Sequence, residues 1–148
     1  MDGTWRDLLR ADRVARLALV CLGIWLNAAD ALVTATAMPS IVRDIGGYAY
    51  FAWPVATYLL GAIVGGASAG RLSERGGLRW ALILPSAIYL IGCAISAVAP
   101  SIALFLVGRT LQGVGAGLIV GACYVAMGVL FPNELWRRVL GAISGVWG

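Results

Sequence analysis

The sequence predicts an all-α membrane protein with four complete transmembrane helices and the start of a fifth, on three observations. Mean hydropathy is +0.89 and charged residues make up only 12% of the chain, about half the ~25% usual in soluble domains. Four apolar stretches reach the roughly 20 residues that a spanning helix needs. Every arginine except Arg109 falls outside those stretches.

The predicted spans are 17–42, 51–70, 80–99 and 102–131, with a fifth starting near Val139. Residues 1–16 read as a short charged cytoplasmic tail, with Thr4 and Asp7 near the start of a surface helix. Residues 17–148 then form one partial helical bundle. The first span is too long for a signal peptide, and three more spans follow it. Tyr48, Tyr50, Phe51 and Trp53 cluster at one predicted interface, while Trp80 and Trp136 sit at the other, as amphipathic aromatic rings do at headgroup level.

The arginines predict the orientation. With the N-terminus inside, Arg6, Arg10, Arg13, Arg16, Arg71, Arg75, Arg79, Arg137 and Arg138 lie in cytoplasmic segments, and Arg43 lies outside. That matches the positive-inside rule and implies a multi-pass protein of the inner or plasma membrane. The net charge of +4 sits in short loops between spans, which argues against a nucleic-acid partner. The chain has no His and no Cys-x-x-Cys pair, and Cys21, Cys93 and Cys123 lie inside apolar runs. These features exclude a disulfide framework and leave no metal-ligand set. They point away from an enzyme, and the cysteines read as small buried hydrophobes.

Two charges sit inside predicted spans. Arg109 interrupts IALFLVGRTLQGVGAGLIVGACYVAMGVLF, at a cost of about 2.5–3.5 kcal/mol near a membrane midplane. The neighbouring Leu, Ile, Val and Phe each offset about 0.3–0.6 kcal/mol. Asp30 lies some 20 Å from the inner boundary, and Arg109 about 10 Å from the outer one, by helical rise. In a core about 30 Å thick the two share a depth, where they could pair or line a water-filled cavity. Other readings stay open: Arg109 could snorkel to the headgroups, and Asp30 could be neutral or bonded for structure alone.

Small residues recur at four-residue spacing at Gly113, Gly117 and Gly121, and again at Gly61/Gly65 and Gly66/Gly70. Such faces let helix backbones approach closely. They serve as packing surfaces, or as smooth contacts on which helices rock. The segment GRLSERGGLRW predicts a tight turn, with glycines permitting positive φ and Glu74 set among Arg75 and Arg79.

Together these constellations resemble the major facilitator superfamily. The turn resembles its G-x-L-x-D/E-R-x-G-x-R/K signature at Gly70, Leu72, Glu74, Arg75, Gly77 and Arg79. The fourth span is similar to its R-x-x-Q-G-x-G element at Arg109, Gln112, Gly113 and Gly115. The first span resembles D-x-x-x-x-A-T-A-x-P-x-I of the drug:proton antiporter branches at Asp30, Ala35, Thr36, Ala37, Pro39 and Ile41. AWPVATYLLG resembles the second span of the fourteen-span multidrug exporters. Glu74 replaces the usual Asp, Leu78 stands where a basic residue is common, and Leu32 replaces a frequent Thr.

The resemblance implies the N-terminal portion of a carrier built from two six-helix bundles that rock about a central cavity. It implies substrate and proton-pathway roles for Asp30, Arg109 and Gln112. It also implies a gating loop at Gly70, Glu74, Arg75, Gly77 and Arg79, and helix packing at Gly113, Gly115, Gly117 and Gly121. No cofactor is implied, because a proton gradient supplies the coupling ion. The expected partners are the bilayer, protons, a lipophilic small-molecule substrate and the rest of the transporter, without which these residues are not expected to transport. A sugar or metabolite carrier of the same superfamily is the alternative, as is a self-contained four-helix exporter of the small multidrug-resistance type.

Overall fold

The computed structural model describes residues 11–147. It is built from helices: α1 (Ala11–Ile45), α2 (Trp53–Ala97), α3 (Ile102–Leu130) and α4 (Trp136–Trp147). Short 3-10 turns at Tyr48–Tyr50 and Asn133–Leu135 join them. Three helical stretches, Arg13–Ile45, Tyr48–Ala97 and Ile102–Leu130, are long and apolar enough to cross a membrane.

At about 1.5 Å per residue, a straight α2 would be roughly twice the thickness of a bilayer's hydrocarbon core. It is not straight. Gly77 adopts φ 71° and ψ 169°, a backbone region open essentially to glycine alone, and divides α2 into a first limb (53–76) and a second limb (78–97). The two limbs pack along opposite sides of α3 at one level. A Cβ on Gly113 would lie 2.1 Å from the Tyr58 carbonyl oxygen, and one on Gly115 would lie 2.7 Å from the Tyr89 nitrogen. Farther along, Gly117 meets Ala62 and Gly121 meets Ala69 on the first limb, while Gly92 of the second limb meets Gln112 and Gly108. The first limb therefore runs parallel to α3 and the second antiparallel to it.

Helix–helix contact here depends on small side chains. The buried positions of α2 include Gly61, Gly65, Ala69, Ala81 and Gly92, while Leu59, Leu60, Ile63, Val64, Leu90 and Ile91 are exposed. Lipid tails are as apolar as Leu, so large residues gain little by turning inward, and close backbone packing decides the interior. Gly70 takes no part, since a Cβ there would meet nothing within 4 Å, whereas Gly66 lies at the edge of the contact, its carbonyl oxygen 3.3 Å from where a Cβ on Gly121 would sit.

Several predicted boundaries move. Helix α1 is already formed at Ala11, so 11–16 continue the first helix instead of forming a separate tail; Thr4, Asp7 and the rest of 1–10 lie outside the described residues. The expected loop from Gly70 to Trp80 is helical except around Gly77, because one glycine with positive φ suffices to reverse the chain. Helix α4 begins at Trp136, three residues before the expected start, once the Asn133–Leu135 turn has redirected the backbone. Helix α3 starts where predicted. Ser101 caps it, its hydroxyl accepting from the Leu104 nitrogen at 3.5 Å, which satisfies one of the free amides of the first turn.

Two apolar clusters anchor α1. One gathers Val20 and Ile24 with Ile119, Cys123, Met127, Val139 and Ile143, and reaches up to Tyr58 and Tyr89. The other joins Met38 and Val42 to Phe105. Asp30 and Arg109 lie between the two.

Candidate functional site

Arg109 is 3% exposed although it carries a permanent charge. Gly108 and Gly113 flank it on α3, and each sits against a backbone that a larger residue would push away. The helices therefore close around the arginine stem. Its Nη1 lies 3.1 Å from Asp30 Oδ1 and 2.9 Å from Oδ2, so the two intramembrane charges pair and snorkelling is ruled out. The same Nη1 donates to Gln112 Oε1 at 2.7 Å. Gln112 is one turn on from Arg109, the spacing at which helical side chains meet.

Further groups complete the cluster. The Tyr58 ring, on the first limb of α2, lies 4.5 Å from the guanidinium carbon, within the range of cation–π attraction. Its hydroxyl donates to Asn27 Oδ1, and Asn27 lies three residues before Asp30 on α1. From the second limb, the Tyr89 hydroxyl donates to Asp30 Oδ1 at 3.2 Å. Gln112 Nε2 donates to Cys93 Sγ at 3.0 Å. Cys93 is thus a hydrogen-bond partner, not simply the small hydrophobe that its apolar surroundings suggested.

Two cavities reach this cluster. A cavity of about 380 Å³ is lined by Asp30, Thr34, Ser96, Arg109 and Gln112, and extends to Asp44 near the end of α1. A smaller one of about 140 Å³ touches Asn27, Thr34, Tyr58 and Arg109. Arg109 and Thr34 line both, so the guanidinium can meet a molecule entering by either route. A polar floor beneath a largely apolar wall suits a small molecule held by few directional contacts.

The residues singled out in sequence separate into three places. Asp30, Arg109 and Gln112 come together as one hydrogen-bonded unit. Gly113, Gly115, Gly117 and Gly121 lie along α3 and bring the two limbs of α2 against it. Gly70, Glu74, Arg75, Gly77 and Arg79 lie at the reversal of α2, all exposed, and Tyr89 is twelve residues or about 18 Å of helix beyond Gly77. Among the described residues Glu74 forms no ion pair with Arg75 or Arg79.

Asn27, Tyr58, Tyr89 and Cys93 escaped the sequence reading. Uncharged hydroxyl, amide and thiol groups barely disturb a hydropathy profile. The available signals were helical spacing, Asn27 to Asp30 and Tyr89 to Cys93, and the place of Tyr58 within AWPVATYLLG.

Comparison with known proteins agrees with this architecture. The chain is 33% identical over 147 residues to a probable multidrug-efflux transporter of Mycobacterium tuberculosis, covering 99% of this chain and 31% of that protein. It is 32% identical over 127 residues to Multidrug resistance protein 3 of Bacillus subtilis, covering 86% and 25% respectively. An Acurin A biosynthesis cluster MFS-type transporter of Aspergillus aculeatus is 37% identical over 134 residues, 89% of this chain and 24% of that one. The chain thus spans about a quarter to just under a third of the length of these relatives. No solved structure matches it significantly. The model of the Major Facilitator Superfamily matches residues 20–148, and with its apolar helices and these relatives the chain belongs to that superfamily of multi-pass membrane transporters.

Proposed function

We propose that these 148 residues contribute the opening spans of a proton-coupled multidrug exporter that works by alternating access. In this reading α1, the two limbs of α2 and α3 are four complete spans, α4 begins the fifth, and the N-terminus is cytoplasmic. Asp30 is the group that exchanges a proton, Arg109 the cation that controls it, and Gln112 the residue that orients them. The reversal carrying Glu74, Arg75 and Arg79 then lies on the cytoplasmic side, where Glu74 is placed to contact a helix N-terminus of the second bundle, a favourable dipole interaction.

The carrying observation is the pair of the buried Arg109 with the part-buried Asp30 on the floor of the 380 Å³ cavity. A transported proton or a cationic substrate competes with Arg109 for the same carboxylate. Binding at that point therefore changes how α1 is held to α3, which is the coupling that alternating access requires. Names of relatives that include multidrug efflux support a lipophilic substrate.

The test is efflux of a lipophilic dye from vesicles energised by a proton gradient, with the full-length protein and its Asp30→Asn variant. Gradient-dependent efflux that falls to background in the variant supports the reading. Equal efflux by both proteins refutes it.

A further inference from the structure

We propose that Tyr89 is a positioning residue for Asp30: it fixes the carboxylate that Arg109 holds, without touching the transported molecule. This rests on the reading of Asp30 as the proton-exchanging acid. The observation behind it is that the second limb of α2 meets both ends of the charged unit from a single helical face. Tyr89 donates to Asp30 Oδ1 at 3.2 Å, and Cys93, one turn later, accepts from Gln112 at 3.0 Å. Arg109 Nη1 connects Asp30 to Gln112 between those contacts.

The tyrosine is held where a positioning group should be. Its backbone nitrogen faces Gly115, where a Cβ would come within 2.7 Å. Three residues on, Gly92 presses on the Gln112 nitrogen, where a Cβ would come within 2.6 Å. Two backbone contacts one turn apart leave the ring 8% exposed. The Asp30 side chain, by contrast, lines the 380 Å³ cavity and is 12% exposed. Arg109 alone does not fix its rotation, because both carboxylate oxygens accept from one nitrogen. The Tyr89 hydroxyl adds a donor from another helix and singles out Oδ1.

Tyr89 lines neither the 380 Å³ nor the 140 Å³ cavity. Its influence on transport therefore passes through Asp30. The groups facing that carboxylate are Arg109 from α3, Tyr89 from the second limb and, behind Arg109, Tyr58 from the first.

The experiment compares the full-length protein with its Tyr89→Phe variant, which keeps the ring and its packing. Two readouts are taken: dye efflux kinetics, and the infrared carboxylate band of Asp30, assigned by its disappearance in Asp30→Asn. The expected result is a fall in kcat of roughly 10- to 100-fold, the scale of one hydrogen bond to a charged group, with KM unchanged and the Asp30 band shifted. Wild-type kcat or an unmoved band in Tyr89→Phe overturns the proposal. The two readings fail differently. If Asp30→Asn is inactive while Tyr89→Phe behaves as wild type, only the role of Tyr89 falls. If Asp30→Asn still transports, the carrier reading falls and takes this one with it.

Discussion

Arg109 grips Asp30 through one nitrogen: Nη1 serves both carboxylate oxygens, at 3.1 and 2.9 Å, and also Gln112. The strongest arginine–carboxylate pairs are forks in which two nitrogens each meet one oxygen. Here Nε is buried without a hydrogen-bond partner, so the guanidinium is not used to its full capacity. A pair of this kind is close enough to hold α1 against α3, yet less firmly locked than a fork. On the alternating-access reading proposed above, a contact of this strength is one that can open.

The energetic coupling of the pair can be measured directly. Arg109→Leu leaves the largely enclosed Asp30 carboxylate, 12% exposed, without its counter-charge, a loss that approaches the roughly 3–5 kcal/mol of a fully buried pair. Replacing both residues, with Asp30→Asn alongside Arg109→Leu, removes that penalty and restores most of the stability. Unfolding of the purified protein in detergent, arranged as a double-mutant cycle, checks this. Strictly additive losses would show that the pair is adjacent but not coupled.

A second prediction separates packing glycines from bystanders. Gly113→Ala places a methyl 2.1 Å from the Tyr58 carbonyl oxygen. The obstacle is backbone, so the helices must part, at a cost on the order of 1–3 kcal/mol, and Tyr58 leaves the guanidinium. Gly70→Ala meets nothing within 4 Å in a helical segment. It should gain up to about 1 kcal/mol in helix propensity. Melting temperatures of the two variants should move in opposite directions; a matching shift would refute this assignment of the close contact.

The reversal at Gly77 is limited by backbone conformation, not by space. Nothing lies within 4 Å of a Cβ there, yet φ is +71°. Gly77→Ala should therefore cost about 1–3 kcal/mol, read as a lower melting temperature with helical content kept. Stability equal to the wild type would show that the two limbs can reverse without this conformation.

The sequence made the spans legible because lipid imposes a simple local rule: enough consecutive apolar residues to cross the core. Asp30 and Arg109 were legible for the same reason, since each breaks that rule at a measurable cost. The turn expected between Gly70 and Trp80 is there, with positive φ at Gly77, but it is shorter than its sequence suggests because helix persists through Arg71–Gly76. Gly70 shows the converse, a glycine at four-residue spacing with nothing across from it.

By itself, then, the sequence determined that the chain is helical and apolar enough for a membrane, that two opposite charges could share one depth, and which small-residue faces could pack. The tertiary structure alone decided that Arg109 reaches Asp30 through Nη1, that Tyr58 and Tyr89 approach from opposite sides of α3, and that Cys93 bonds Gln112. The reason lies in geometry. Hydropathy and helical period are properties of one segment and can be read along it. The rotation and approach of neighbouring helices depend on which backbone each glycine meets, and that partner is named only once the chain has folded.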